Sequence, residues 1–303
     1  MNSQDKYGKA VVLLMGYGSP DRLSDIREYL SGIYEGRPVP DYAIAENLAK
    51  YSMFGGSSPS NRILGELREK LETEISGRFT VLLAFKHWKP WISDSYRMLN
   101  GTAVESITGI PLFPFPSKNV EMSYRSEFEK MNSEHGLSGK SSFVNGFSKN
   151  VKFRYLWKSL IERTGREGNS KTHFLFSAHS LPNSHTEADY ADSFRDSVEA
   201  VAADLGLLNY SFGFQSQGRY GTGWLQPRIE DSVASIGRGI TQVVAVPIGF
   251  CYDHLEILYD LDYIVGNMIR NMGVAYSRTE LPNHSKEMLE LLKEIVLSEV
   301  KSN

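Results

Sequence analysis

The chain has 303 residues, 41% of them hydrophobic and 23% charged, with a formal net charge of −3. That length suits one large or two medium domains, each with its own core, and the near-neutral charge supplies no basic field for a nucleic-acid partner. The single cysteine, Cys251, excludes a disulfide framework and a protein-held iron–sulfur cluster, which takes four thiolates, and fits a reducing cytoplasm.

The polar lead "MNSQDKYGKA" runs directly into "VVLLM", too short for a signal segment or a spanning helix. No later apolar run approaches membrane length, so the expected protein is soluble and cytoplasmic, with at most peripheral bilayer contact. Short strands are predicted at 10–16, 79–85, 106–113, 173–180, 210–216 and 242–250. They are apolar at nearly every position, the pattern of a parallel sheet covered by helices on both faces. Amphipathic helices are predicted between them at 23–34, 60–75, 151–165, 192–206 and 229–240, with Ser60 as a start signal and Gly206 as a stop.

This alternation predicts a doubly wound α/β architecture. Each half opens with a strand that enters a Gly/Ser/His loop and then a long helix. Two Rossmann-like lobes are therefore expected, 1–168 and 169–283, switching near the polar "TGREGNSK". The amphipathic tail helix, 284–303, is expected to pack back on the first lobe. Ligands of such sheets bind beyond the carboxyl ends of the strands, and Tyr17, His179, Gln215 and Phe250 lie at those ends.

The candidate motifs follow in chain order. "GYGSPD" at 16–21 follows a strand but has Asp21 where a dinucleotide loop needs its third glycine, and Pro20 is wrong for a phosphate cradle. A tight turn explains its glycines but not the aromatic hydroxyl of Tyr17. "FSAHSLP" ends a strand on His179, flanked by hydroxyls, without the G-x-S-x-G elbow of a serine hydrolase. The neighbouring serines suit hydrogen bonds to the loop backbone.

"PIGFCYDHLEILYDLD" at 247–262 places Asp253, His254, Glu256, Asp260 and Asp262 within ten positions. Asp253 reads as a helix N-cap. His254 is divided between a structural and a functional reading. Glu256 and Asp260 are four apart on one helix face, where like charges repel unless a cation intervenes. Leu255, Leu258 and Leu261 make the packed stripe. Imidazole plus carboxylate without thiol suits borderline or hard divalent metals, and H-E-x-x-H is absent.

These segments resemble ferrochelatases, enzymes that insert Fe²⁺ into a porphyrin. "LLMGYGSP", "GGSSPSNRI" (55–63), "FSAHSLP", "FQSQG…WLQP" and "VPIGFCYDHLEILYDLD" match the family's motifs in order over roughly residues 10–265. The closest resemblance is to the cluster-free iron-coproporphyrin enzymes of monoderm bacteria. It implies a chelatase-like fold: two doubly wound lobes with four-stranded parallel sheets flanked by helices, and a cleft between them. It further implies that His179 and Glu256 face each other across that cleft and handle the iron. By the same resemblance Tyr17 approaches the metal from the opposite face and Arg37 lies near the porphyrin edge. Lys50, Ser58, Ser123 and Tyr124 match positions that line the cleft or meet propionates. Chemically, Asp260 and His254 are candidates for a proton relay, Asp260 alternatively orienting Glu256.

Iron and porphyrin are then substrates, with coproporphyrin III favoured over protoporphyrin IX, and no cofactor is tightly bound. A monomer is expected, with room for a haem-accepting partner protein. The sequence departs from its relatives at Ile264, where they carry the next carboxylate, so the inner metal position is expected intact and the existence of an outer one is left open. Trp88, Trp91, Phe115 and Trp224 are candidate walls for a flat ring, or plain core. Three rival readings are a cobalt or nickel chelatase for a sirohydrochlorin-type ring, a non-catalytic tetrapyrrole or metal carrier, and a nucleotide-binding reductase. The last is disfavoured by the broken glycine loop.

Overall fold

The computed structural model describes residues 10–75, 77, 79–218 and 223–302. The polar lead 1–9 and the final Asn303 lie outside the described residues. The described residues form two compact units, one drawn from Met1–Leu112, Val120–Asn145 and Asn283–Asn303, the other from Phe113–Asn119 and Gly146–Pro282.

In the first unit, β1 (Ala10–Gly16), β2 (Phe79–Phe85), β3 (Ser106–Pro111) and β4 (Ser141–Phe143) form one parallel sheet in the order β2-β1-β3-β4. The helices are α1 (Ile26–Ile33), α2 (Asp41–Met53), α3 (Ser60–Glu74), α4 (Ile92–Met98) and α5 (Lys118–Glu134). Val11, Leu13 and Met15 pack with Ile92, Tyr96 and Phe128 on one side of β1. Burial on both faces is why β1 could be read from its unbroken apolar run.

The second unit repeats the plan. It holds α6 (Val151–Glu162), β5 (Thr172–His179), α7 (Ala188–Leu205), β6 (Tyr210–Gln215), α8 (Ile229–Ala234), β7 (Gln242–Val246) and β8 (Ala275–Arg278). Its parallel sheet runs β6-β5-β7-β8, the same order as the first. A π-helical stretch, Ile257–Val265, leads into α9 (Gly266–Asn271). The chelatase-like expectation of two four-stranded parallel sheets flanked by helices is what the structure contains.

The division between units differs from the switch expected near residue 168. The amphipathic face of α6, with Phe153, Leu156, Trp157, Leu160 and Ile161, is buried in the second unit. Phe115, from the short piece 113–119, meets the rings of Phe153 at 5.9 Å, Tyr190 at 5.9 Å and Phe194 at 5.7 Å. "TGREGNSK" is therefore a turn inside this unit, and aromatic packing places the crossings at 113–119 and 146. The tail helix α10 (Lys286–Ser302) belongs to the first unit. It buries Met288, Leu291, Leu292 and Val296, while His284 meets Glu66 at 3.2 Å and Lys293 meets Glu74 at 3.8 Å.

Two strands escaped the sequence reading, β4 and β8. Both are short edge strands with half-buried or exposed residues, so neither shows an apolar run. Ser60 begins α3 rather than preceding it, whereas Gly206 closes α7 in the left-handed conformation at φ 58°. Among the described residues, no helix is long and apolar enough to cross a membrane.

Candidate active site

β5 ends on His179 because the apolar run stops there and the chain turns into a loop at the carboxyl edge of the sheet. The ring is fixed from both sides. Its Nδ1 lies 2.6 Å from the Ser180 carbonyl oxygen, an acceptor only, so Nδ1 carries the proton. Tyr190, fully buried, donates its hydroxyl to the His179 carbonyl at 2.7 Å and holds the strand end. Nε2 is thus the ring nitrogen left to other partners, and it stands 3.6 Å from Glu256 Oε2. That is beyond hydrogen-bond range and leaves both atoms available to a third. The side chains are 30% and 51% exposed, so solutes reach them.

Glu256 sits immediately before the π-helical stretch. A π turn bonds each N–H five residues back, so it is wider than an α turn. Residues four and five apart then overlie one another, and the buried stripe becomes Ile257, Leu261, Val265 and, in α9, Ile269. The expected stripe of Leu255, Leu258 and Leu261 is corrected accordingly: Leu258 swings to a half-buried position.

The acidic residues around Glu256 are held by neighbouring side chains. Asp260 accepts a hydrogen bond from the Ser216 hydroxyl. Ser216 holds a left-handed backbone at φ 60°, a strained conformation for a residue with a side chain. Asp253 is held by a guanidinium: its carboxylate accepts from Arg278 Nη2 at 2.9 Å. The same guanidinium reaches Asp262 through Nε, and the Tyr276 hydroxyl lies 3.0 Å from Asp262. Ile264 is half-buried in the π stretch.

His254 lies between the rings of Phe250, at 5.1 Å, and Tyr252, at 5.8 Å. Burial pulls its pKa below the ordinary histidine value, against the opposing pull of the Glu256 carboxylate. Its imidazole is therefore neutral at pH 7. Among the described residues, no three or more His, Cys, Asp or Glu side chains gather into a metal cage. What stands at the edge is one imidazole and one carboxylate with open faces.

In the first unit Tyr17 follows β1 with its ring 45% exposed and 4.6 Å from the His87 ring. Burial, helped by the neighbouring Lys86 ammonium, holds His87 at about 4. Lys86 in turn lies over the Tyr124 ring at 5.6 Å. Sequence reasoning missed Lys86 and His87, although "FKHW" at the end of β2 was the available signal. Tyr124 lies on the face of α5 that packs into the core and is 8% exposed.

Ser58 joins a polar knot: its hydroxyl meets Ser60 Oγ at 3.0 Å, and Ser60 meets Ser19 Oγ at 3.1 Å. Asn61 donates to the Ser19 carbonyl at 2.7 Å. The segments "GYGSPD" and "GGSSPSNRI" are thereby tied together. Lys50 is half-buried and pairs with Glu46 at 3.1 Å. Arg37 is exposed and donates to the Tyr34 carbonyl at 3.0 Å. Ser123 is half-buried on α5. Of the four candidate wall residues, Trp88 and Phe115 are core at 2% and 1% exposure, while Trp91 and Trp224 are half-buried.

The ferrochelatase family model matches residues 9–300. Ferrochelatases of Thermoplasma acidophilum and Thermoplasma volcanium are 39% and 42% identical to the chain, each over 96% of it and over 92% and 93% of their own lengths. The coproporphyrin III ferrochelatase of Geobacillus kaustophilus is 29% identical over 95% of both chains. Among solved structures, the cobalt complex of the sirohydrochlorin chelatase SirB from Bacillus subtilis subspecies spizizenii is similar at a TM-score of 0.59. It is 9% identical, covering 94% of this chain and 93% of that one. CbiX, titled the terminal enzyme for biosynthesis of siroheme in denitrifying bacteria, gives 0.58 at 15% identity over 95% and 98%. At such identity the likeness is one of fold.

Proposed function

Since this chain belongs to the ferrochelatase family and is a metal chelatase of the lyase class, we propose that it inserts Fe²⁺ into a porphyrin in haem biosynthesis. Coproporphyrin III is the favoured ring. The observation that carries the reading is the approach of His179 Nε2 to Glu256 at 3.6 Å, with Nδ1 held by the Ser180 carbonyl.

A free porphyrin closes its metal pocket with two pyrrole N–H protons. Insertion takes a bent ring, a base for the protons and removal of water from the incoming ion. An imidazole is matched to accept a pyrrole proton near pH 7. Glu256 is an oxygen ligand for a divalent ion released from its water shell. Each insertion consumes one Fe²⁺ and one metal-free ring and releases two protons, so the charge on the centre is conserved. Asp260 and His254 are the proposed relay from that pair.

Tyr17 is the proposed approach to the metal from the opposite face, and Arg37, Lys50, Ser58, Ser123 and Tyr124 are the proposed contacts of the porphyrin periphery, cations pairing with its carboxylates. The relatives named for coproporphyrin III support that ring, which carries four carboxylates to the two of protoporphyrin IX. The Thermoplasma relatives carry the name ferrochelatase alone. The proposal includes a cytoplasmic monomer without a resident cofactor, handing its product to a haem-accepting protein.

The test is an anaerobic assay with Fe²⁺ and, separately, coproporphyrin III and protoporphyrin IX, read by loss of metal-free porphyrin fluorescence. Co²⁺ with sirohydrochlorin is run beside them. Turnover with sirohydrochlorin alone would replace this reading with the cobalt or nickel chelatase. Tight porphyrin binding with no insertion would leave a carrier.

A further inference from the structure

The first turn of α6 and the middle of α7 flank a pocket of about 300 Å³ within the second unit, and it shares no residue with the His179 site. That volume is at the lower end for small-molecule sites. Ser148, Lys149, Asn150 and Arg154 line it from α6 and the chain just before, Ser193 and Asp196 from α7. α6 spans 12 residues, enough for the positive end of its dipole to favour an anion. Asn150 caps it: the side chain accepts the Lys152 N–H at 2.8 Å, and the carbonyl accepts the Phe153 N–H at 3.0 Å. The Val151 N–H of the same turn is left without an acceptor among the described residues.

A second observation points to a ligand. Ser148 is 9% exposed, and among the described residues its Oγ has no hydrogen-bond partner. Folded proteins pair about nine in ten such atoms. The backbone at this point is pinned, since Phe147 and Ser148 both donate their N–H to the Pro114 carbonyl at 2.8 Å. The hydroxyl alone keeps its bonding capacity, beside the pocket that Ser148 lines.

Charge decides what fits. Lys149 is exposed, and Arg154 binds Asp204 through Nε at 3.0 Å, which leaves its Nη donors for the pocket. A hydroxyl, an open N–H and two cations suit an oxyanion. Asp196 adds a condition. A carboxylate only accepts hydrogen bonds, so it repels a fully ionised anion and favours one that keeps a proton to donate. Phosphate keeps a P–O–H near neutral pH, and sulfate has none.

We propose that this pocket binds a hydrogen-phosphate group. Ser148, the α6 N-terminus and the two cations hold its oxygens, and its own hydroxyl donates to Asp196. Free phosphate and the end of a small phosphate monoester both carry that group. The apolar side chains of Phe153 and Val201, which also line the pocket, would meet the short carbon chain of a monoester.

Isothermal titration calorimetry of the full chain near pH 6.5, at constant ionic strength, tests this with inorganic phosphate, glycerol 3-phosphate and sulfate. Phosphate is expected to bind with a Kd of about 1 mM or tighter, and at least tenfold more tightly than sulfate. Glycerol 3-phosphate binding more tightly than phosphate assigns the monoester, and the reverse assigns the free ion. Ser148→Ala is expected to weaken phosphate at least tenfold. Its Tm without phosphate should hold or rise, because the change removes an unpaired buried hydroxyl. Asp196→Asn, on the exposed side of α7, is expected to abolish the preference for phosphate over sulfate. Absence of phosphate binding at roughly ten times that Kd, equal binding of sulfate by the parent, or full phosphate affinity in Ser148→Ala overturns the proposal. The titrations require no metal insertion, so failure of the ferrochelatase reading leaves their outcome unchanged.

Discussion

Arg278 donates from Nε to both carboxylate oxygens of Asp262, at 2.9 and 3.2 Å. Its Nη2 meanwhile holds Asp253 at 2.9 Å. One guanidinium from the edge strand β8 thereby clasps the chain before and after Glu256. The Arg278 side chain is 15% exposed, and its charge-assisted bonds raise its pKa against burial. Removing one member of such a buried set strands the others. Arg278→Met is expected to destabilise the second unit by about 3–5 kcal/mol. Arg278→Lys, which keeps the charge but not the fork, falls between. Urea denaturation of the three proteins checks the order, and equal midpoints would refute the clasp.

His179→Ala removes the imidazole beside Glu256. Turnover is expected to fall by about 10²–10⁴, the usual contribution of a general base. Porphyrin affinity, read by fluorescence quenching, should hold. Near-parental insertion rates would show that another group takes the pyrrole proton.

Acid sensitivity follows from buried neutral histidines. Burial, with Lys86 alongside, holds His87 at about 4 against an ordinary 6.5. Burial also lowers His173. Between those values the unfolded chain binds a proton that the folded chain refuses. Stability is therefore intact above pH 6.5 and is lost progressively as pH falls toward 4. His87 by itself accounts for roughly 3 kcal/mol of that loss. Urea midpoints at pH 7, 6 and 5 should decline for the parent and decline less for His87→Gln. A flat profile in the parent contradicts the assignment.

Gly213 lies in β6 where α8 rests directly on the sheet. A Cβ there would come 2.5 Å from Ile229 Cα and 2.9 Å from Ile229 N, both backbone atoms. Neither can rotate aside. Gly213→Ala is expected to cost at least about 1–3 kcal/mol, the usual penalty of overpacking. Calorimetry should register a lower apparent Tm, and an unchanged Tm would mean that α8 does not press on β6.

Much of this protein was legible in its residues. β1 and β2 were read to the residue, because strands buried on both faces stay apolar along their whole length. His179 and Glu256 stood out because a polar group ending a buried strand, and an acidic run starting an apolar helix, both break the pattern that packing sets. α2, α4 and α5 were missed, and α5 shows why: its buried apolar residues are Tyr124, Phe128 and Met131, with the polar Asn132 beside them, among many charges.

The sequence by itself determined the repeated sheet plan and the types of group at the strand ends, since both are set by local apolar runs and the polar residues that interrupt them. Tertiary structure alone decided which groups meet. The 3.6 Å between His179 and Glu256, the clasp of Arg278 and the reassignment of α6 to the second unit all join positions far apart in the chain. The wider π turn likewise moved the packed stripe and left Asp260 to Ser216. Such contacts depend on how finished elements dock and how one turn is wound, and no local spacing of residues encodes either.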